Sequence, residues 1–256
     1  MTVTLSIPNQ VAIITGGSRG IGAACVRMFV GAGAKVVFNY QNARESADKL
    51  VAECGAENCI AVQAELDGTG AERVLIEKGV ERFGRVDALV VNHGIWPPHE
   101  QPIESMPADQ WQRTIAINLE SVFALIKHSV AQMKKQQSGG NIVVVSSTAG
   151  QRGEAFHADY AATKGAVISM VKGLSTELAP AGIRVNCVAP GWVSTDMTAP
   201  VLNDVPTRDR IFKAIPLGRV GKPEELAAPI LFLCTEHAGF ITGEVFNVNG
   251  GAVLVG

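Results

Sequence analysis

The chain has 256 residues, of which 47% are apolar and 18% are charged, and its formal net charge is −2. This composition supplies a sizeable core and argues against a disordered chain. The absence of a basic block argues against nucleic acid as a partner. The first apolar run, residues 11–14, is too short for a signal peptide or a membrane span. We therefore expect a cytoplasmic protein with no membrane partner.

The cysteines and histidines indicate neither a disulfide framework nor a metal site. The five cysteines are odd in number and widely spaced, no Cys-x-x-Cys occurs, and the five histidines form no ligand-spaced pair. We expect reduced thiols and no bound metal. The cysteines are Cys25, Cys54, Cys59, Cys187 and Cys234.

Short apolar runs alternate with amphipathic segments along the whole chain. This alternation is typical of a parallel sheet covered by helices on both faces. No linker or repeat divides the sequence, so we predict an α/β protein: a single Rossmann domain over residues 1–256, with a doubly wound, seven-stranded parallel sheet. The predicted strands are residues 11–15, 35–39, 59–63, 87–91, 142–145, 184–188 and 244–248. The predicted helices are one ending near residue 30 and those at residues 43–54, 70–83, 109–135, 158–178 and 223–234.

One polar, proline-containing stretch does not fit this alternation. Residues 194–216 contain Pro200, Pro206 and Pro216 and are helix-prone. They form either a mobile lid over a substrate site or a plain surface excursion.

Tyr160 and Lys164 carry the first candidate chemistry. Their spacing of four residues places both side chains on one face of a helix, one turn apart. A lysine ammonium there would stabilise the phenolate and lower the tyrosine pKa from about 10, so that it can transfer a proton near neutral pH. Ser147 follows the buried strand 142–145 and should emerge at its carboxyl end, where ligands bind in open α/β sheets. An ordinary exposed Tyr–Lys pair is the alternative for such a short motif.

A glycine-rich turn follows the first predicted strand. The spacing is Gly16-x-x-x-Gly20-x-Gly22, and a helix comes directly after it. Backbone N–H groups and the helix dipole at such a turn favour a pyrophosphate, and glycines permit its close approach. The sequence therefore predicts a dinucleotide-binding turn.

Together these motifs resemble the short-chain dehydrogenase/reductase family, over residues 11–251. Within that family, the segments after residue 189 are similar to bacterial 3-oxoacyl-[acyl-carrier-protein] reductases. The motifs that carry the resemblance are Thr15-Gly16-x-x-x-Gly20-Ile21-Gly22, Asn92-x-Gly94, Asn118, Ser147, Tyr160-x-x-x-Lys164, Pro190-Gly191, Thr195-Asp196-Met197, Pro216-Leu217-Gly218-Arg219 and Val248-Asn249-Gly250-Gly251.

The resemblance implies a role for each of four catalytic residues. Tyr160 exchanges a proton with the substrate oxygen, and Ser147 hydrogen-bonds the same oxygen. Lys164 lowers the tyrosine pKa and holds the nicotinamide ribose, while Asn118 holds a water that links Lys164 to solvent. The implied cofactor-binding residues are Gly16, Ser18, Arg19, Gly20, Ile21, Asn39, Tyr40, Gln41, Glu65, Leu66, Asn92, Gly94, Tyr160, Lys164, Pro190, Gly191, Val193 and Thr195.

The chain departs from the family at three positions, two of them in one motif. The family usually has Asn-Asn-Ala-Gly where this chain has Val91-Asn92-His93-Gly94. His93 either helps to bind substrate or fills space. Glu65 stands where an aspartate is usual near the adenine.

Charge favours NADP(H) over NAD(H). An acid at the end of the second strand would bind the ribose 2′-hydroxyl and repel a 2′-phosphate. No acid occurs there before Glu45, whereas Arg19 lies in the glycine turn and Arg44 nearby. Arginine suits phosphate through its bidentate fork. NAD(H) remains the alternative cofactor.

The expected reaction is the interconversion of a ketone and a secondary alcohol, on a thioester of the 3-oxoacyl type. A dehydrogenase of small ketones or sugars is the nearest alternative, and a catalytically idle NADP(H)-binding sensor or scaffold is a more distant one. The residues expected to contact substrate are Trp96, Ser147, Arg152, His157, Tyr160 and Trp192.

We also expect a homotetramer. The predicted helices 109–135 and 158–178 carry apolar residues at more than one angle, whereas a surface helix of a monomer needs a single apolar stripe. The resemblance implies that both helices pack against their copies across a two-fold axis. The apolar tail 252–256 should dock at a second two-fold interface.

Overall fold

Seven parallel strands form one sheet in the computed structural model, which describes residues 4–255. The sheet order is β3-β2-β1-β4-β5-β6-β7, and every neighbouring pair is parallel. The predicted seven-stranded α/β fold is thus confirmed. The strands are β1 Val11–Ile14, β2 Lys35–Tyr40, β3 Cys59–Gln63, β4 Ala88–Val91, β5 Gly140–Val145, β6 Ile183–Pro190 and β7 Val245–Val248.

Helices connect the strands and cover both faces of the sheet. Those on one face contribute to a core around Phe29 and Phe38, and those on the other contribute to a core around Leu75 and Leu125. The helices are α1 Gly20–Gly31, α2 Arg44–Cys54, α3 Ala71–Phe83, α4 Ala108–Ile115, α5 Ser121–Gln136, α6 Thr148–Arg152, α7 Ala158–Leu178, α8 Ala199–Leu202, α9 Val205–Ala214 and α10 Pro223–Cys234.

Successive strand residues alternate between these two cores. Ala12 and Ile14 pack in the first core and Ile13 in the second, and all three are fully buried. Burying a side chain of this size contributes about 1.5–3 kcal/mol, which explains why the strands are uninterrupted apolar runs. All five cysteines are free thiols.

The strand order reverses between β1 and β4, which both lie in the middle of the sheet. β1 pairs with β2 on one side and with β4 on the other. The connections after these strands diverge to opposite faces and leave a crevice at the carboxyl ends, where ligands bind in such sheets.

The structure differs from the sequence-based expectation in three segments. The predicted helix 109–135 is two α-helices joined by a wide π-helical turn, Ala116–Glu120. The five-residue helix α6 was not predicted, and the stretch 194–216 contains the short helices α8 and α9. Within residues 4–255, no helix is long and apolar enough to cross a membrane.

Candidate active site

Two adjacent serines after β5 point to different partners. Ser146 is buried, and its hydroxyl donates to the backbone carbonyl of Lys164 at 2.7 Å. Ser147 instead caps the N-terminus of α6, where its Oγ accepts from the Ala149 amide at 3.1 Å. This acceptor contact leaves the Ser147 hydroxyl proton available for a ligand in the crevice.

Helix α7 presents Tyr160 and Lys164 to the same crevice. Asp159, which is fully buried, anchors the first turn of this helix. Its carboxylate accepts from the Tyr160 amide at 2.8 Å and from the Thr114 hydroxyl, also at 2.8 Å. These charge-assisted bonds fix the backbone of Tyr160 against α4. The sequence analysis did not select Asp159; its only signal there was an acid in the first turn of a helix.

Lys164 holds the end of β5 rather than the tyrosine oxygen. Its ammonium donates to the Val145 carbonyl at 2.8 Å and lies 5.7 Å from the centre of the Tyr160 ring. Burial lowers the pKa of Lys164 to about 8. Burial raises the pKa of Tyr160 to about 12, although the Ser147 hydroxyl acts in the opposite direction. The predicted lowering of the tyrosine pKa by Lys164 is therefore wrong for the protein without cofactor.

Asn118 lies in the π-helical turn and is buried. Its side-chain oxygen accepts from the Ile95 amide at 2.8 Å, and its side-chain nitrogen donates to the Ile95 carbonyl at 2.9 Å. Both polar groups of the Ile95 backbone are thereby satisfied by one side chain. Asn118 is thus held just behind the wall of the crevice and does not itself line it.

The crevice is a cavity of about 680 Å³ that unites all eighteen predicted cofactor-binding residues. It extends along the carboxyl ends of the strands, from the end of β2 past the glycine turn after β1 to Tyr160 on the β5 side. Residues that line it but were not predicted include Asn42, Ala43, Ala64, His93 and Ile95. Four of them directly follow or precede a predicted residue, and Ala43 follows Asn42; apart from His93, none lies within a motif that the sequence analysis used.

The donors at the glycine turn fit a dinucleotide. Gly16 and Gly20 have φ of 63° and 53°, the left-handed region that favours glycine. Helix α1 begins at Gly20 without a side-chain cap from Arg19, and both Gly20 and Ile21 line the cavity. Backbone N–H groups at an uncapped helix N-terminus suit a pyrophosphate.

A smaller cavity of about 90 Å³ opens beside Ser147 and Tyr160. Trp96, Arg152 and Trp192 line it, as predicted for substrate-contacting residues, and so does Glu154, which was not predicted. Burial raises the pKa of Glu154. Two tryptophans and a carboxylate thus surround the space next to the candidate proton donor.

His157, which was expected to contact substrate, lies elsewhere. The residue is buried, its ring stacks on Trp96 with centroids 4.8 Å apart, and its Nε2 lies 3.0 Å from the Pro97 carbonyl. It lines neither cavity. The physical reason is that its two ring nitrogens lie within hydrogen-bond distance of backbone carbonyls, those of Ala155 at 3.2 Å and Pro97, while its ring packs on Trp96.

His93, for which substrate binding and space filling were the two expectations, is hydrogen-bonded within the protein. Its Nδ1 lies 2.8 Å from Thr15 Oγ1, and its Nε2 lies 2.7 Å from Ser121 Oγ. Both ring nitrogens are therefore bonded within the protein, while one side of the half-buried residue lines the large cavity.

A parallel sheet with a glycine turn and a Ser–Tyr–Lys set at its carboxyl edge defines a nucleotide-dependent oxidoreductase. The family model described as enoyl-(acyl carrier protein) reductase matches residues 16–253. The chain belongs to the short-chain dehydrogenase/reductase family, whose members act on CH–OH donors.

Similar proteins match over nearly their whole length. The 3-oxoacyl-[acyl-carrier-protein] reductase of Synechocystis sp. is 42% identical over 252 residues, 97% of this chain and 99% of that protein. The L-rhamnose 1-dehydrogenase (NAD(P)(+)) of Azotobacter vinelandii is 36% identical over 248 residues, 95% of this chain and 96% of that protein. A crystal structure from Brucella melitensis, described as a short-chain dehydrogenase/reductase and glucose/ribitol dehydrogenase, has a TM-score of 0.91. It is 36% identical and covers 99% of this chain and 100% of that one.

Proposed function

We propose that the protein is an NADP(H)-dependent oxidoreductase that interconverts a ketone and a secondary alcohol. The observation that carries this proposal is that Ser147, Tyr160 and Lys164 line the same cavity of about 680 Å³ as the glycine turn at the N-terminus of α1. A nicotinamide nucleotide, when bound, supplies or accepts the hydride. The protein's own residues orient the substrate and move the proton.

Tyr160 is the proposed proton donor to the carbonyl oxygen. With a pKa of about 12 it is protonated at neutral pH, which is the form that reduction requires. The hydroxyl proton of Ser147 is available to the same oxygen and would stabilise the charge that develops on it. Lys164 has three N–H donors and uses one on the Val145 carbonyl, so the others can hold ribose hydroxyls.

The preference for NADP(H) is supported by the charges near the end of β2. Asn39 at the end of β2 is a neutral amide and repels no phosphate; its oxygen accepts from the Gly16 amide at 2.8 Å and its nitrogen donates to the Ala64 carbonyl at 3.0 Å. Arg19 lines the cavity and pairs with Asp196 at 3.5 Å, with both side chains largely exposed. An exposed pair contributes little, so Arg19 can turn to a 2′-phosphate. Arg44, in contrast, pairs with Asp48 outside the cavity.

A 3-oxoacyl thioester is the first candidate substrate. It is supported by the name of the Synechocystis relative and by the shared segments after residue 189. The stretch 194–216 is proposed as a lid over this substrate, since Thr195 and Met197 line the cavity and Met197 is 47% exposed.

A small polyhydroxylated carbonyl compound, such as an aldose, is the second candidate. The observation that favours it is the small cavity with Trp96, Glu154 and Trp192, because a carboxylate accepts from sugar hydroxyls and tryptophan covers apolar sugar faces. The name of the Azotobacter relative, a rhamnose dehydrogenase, points in the same direction.

The test mixes purified protein with a panel of compounds, once with NADPH to measure reduction and once with NADP+ to measure oxidation, and follows the absorbance of the reduced nicotinamide. The panel holds acetoacetyl thioesters, simple ketones and aldoses. Fastest turnover of a thioester supports the first candidate, and fastest turnover of an aldose supports the second. If NADPH binds but no compound of the panel is reduced with NADPH or oxidised with NADP+, the enzyme proposal fails and a sensor or scaffold is supported instead.

A further inference from the structure

His93 bridges two elements on opposite sides of the cavity floor. Thr15 directly follows β1, and Ser121 is the first residue of α5, immediately after the π-helical turn. The contacts at 2.8 Å and 2.7 Å join them through one imidazole. The family usually carries an alanine at this position, which can make neither contact.

The hydrogen-bond partners determine which nitrogen of His93 bears the proton. Ser121 Oγ donates its single proton to the Ile117 carbonyl at 2.6 Å, so it can only accept from His93. Nε2 is therefore the N–H donor. Nδ1 then accepts from the Thr15 hydroxyl at 2.8 Å, which is shorter than the 3.4 Å from that hydroxyl to its other acceptor, the Val90 carbonyl. Thr15 Oγ1 in turn accepts from the Asn92 and His93 amides at 3.0 Å and 3.2 Å.

The imidazole is neutral in this arrangement. Burial and, to a smaller extent, the charge of Lys164 lower the pKa of His93 to about 3. An acid–base role near neutral pH would need one free ring nitrogen, and both are occupied. His93 is therefore a fixed link and not a proton carrier.

This link ends on the turn that carries Asn118. The bond from Ser121 to the Ile117 carbonyl lies across that turn, and Asn118 follows Ile117 directly. A Cβ placed on Gly94 would lie 3.1 Å from Asn118 Oδ1 and 3.5 Å from Lys164 Nζ, so these two polar atoms converge beside the residue that follows His93. A shift of the turn would move Asn118 relative to Lys164.

We propose that His93 is a positioning residue that holds the π-helical turn through Ser121 and thereby fixes Asn118 beside Lys164. The inference rests on the proposed function, in which Lys164 serves the proton transfer from Tyr160. It also explains why a histidine stands where the family usually has alanine: the imidazole bonds the hydroxyls of Thr15 and Ser121, which an alanine cannot do.

Three variants test the link: His93→Ala, Ser121→Ala and the double variant. We expect each single change to lower kcat about tenfold, because a displacement of one catalytic group by an ångström is costly. The double variant should lose little more than either single one, since both remove the same link. The Kd for NADPH, measured by fluorescence, should change less than about twofold. His237→Ala, an exposed histidine after α10, is the control and should match the wild type.

A second readout does not depend on turnover. Amide hydrogen exchange should speed up at Ile95, whose N–H is held by Asn118, and at residues 116–120 in His93→Ala and in Ser121→Ala. Unchanged exchange at these sites, or losses in kcat that multiply in the double variant, would overturn the role of His93. Failure of the wild type to reduce any carbonyl compound refutes the proposed function instead. In that case the rates of amide hydrogen exchange alone test whether His93 holds the π-helical turn through Ser121.

Discussion

Lys164 and Tyr160 lie one helical turn apart, yet the ammonium of Lys164 contacts the Val145 carbonyl and stands 5.7 Å from the centre of the tyrosine ring. The lysine is held by β5, and the phenol interacts with Ser147. The two residues therefore form parts of one site without a direct bond between their polar atoms.

Replacing Tyr160 by phenylalanine should abolish turnover while NADPH still binds. The change removes only the hydroxyl, so the packing of α7 and the nucleotide cavity stays the same. We expect kcat to fall more than about tenfold, which corresponds to more than about 1.4 kcal/mol in the barrier. Steady-state rates and a fluorescence titration with NADPH measure the two effects. A variant that keeps more than a tenth of kcat would exclude Tyr160 as the acid.

The strands and the grouping of Ser147, Tyr160 and Lys164 in one site could be predicted from the sequence. The local backbone geometry of the site could not. Apolar runs and the spacing of Ser147, Tyr160 and Lys164 depend on nearby residues, so they can be recognised from sequence. The π-helical turn cannot, because one additional residue in a turn hardly alters the apolar periodicity of 109–135.

Long-range contacts account for the other differences. His93 bonds to residues 78 and 28 positions away in the chain, so no local pattern could indicate its partners. The tyrosine pKa was predicted from the four-residue spacing to Lys164. The structure shows that burial dominates it, which depends on every element around the cavity.

The buried ammonium of Lys164 should make the stability of the nucleotide-free protein depend on pH. Its pKa is lowered from 10.5 to about 8, so between these values the unfolded chain binds more protons than the folded one. The free energy of unfolding therefore rises with pH across this window. The contribution of Lys164 should grow by about 2 kcal/mol between about pH 7 and about pH 9.5.

Urea unfolding of the wild type and of Lys164→Met at both pH values isolates this contribution, because the other titrating groups are common to the two proteins. Lys172→Met, on an exposed position of the same helix, serves as the control. If Lys164→Met shows the same change in unfolding free energy with pH as the wild type, the lysine does not titrate in this window.

Replacing Arg19 by alanine should weaken NADPH much more than NADH. The guanidinium lines the cavity and is held only by an exposed pair with Asp196, so it is available to a 2′-phosphate that NADH lacks. We expect kcat/KM for NADPH to fall about tenfold or more, because one charge-assisted contact is lost. The value for NADH should stay within about twofold, because NADH has no 2′-phosphate. Arg44→Ala is the matched control, since Arg44 lies outside the cavity. Equal losses with both nucleotides would rule out the contact.

Exposed aromatic residues mark two surfaces for the proposed tetramer. On α5, Val122 and Ile126 are buried in the chain's own core, whereas Phe123 is 58% exposed. Phe240 is fully exposed, and Leu254 in the apolar tail is 87% exposed; the last residue of that tail, Gly256, lies outside the described residues. Of these three α5 residues, only Phe123 is therefore available to a neighbouring chain.

Dihedral symmetry predicts a specific outcome for charged replacements at these two surfaces. A tetramer of this kind has two independent two-fold contacts, so Phe123→Asp alone and Leu254→Asp alone should each leave a dimer, and the double variant a monomer of 26.9 kDa. Val74→Asp, at an apolar residue of α3 that is 43% exposed, should remain a tetramer. Sedimentation velocity at micromolar protein distinguishes these species. The monomer should also lose activity, because α7 with Tyr160 would no longer pack against a neighbour. A wild-type protein that sediments as a fully active monomer would contradict both the assembly and its support of the site.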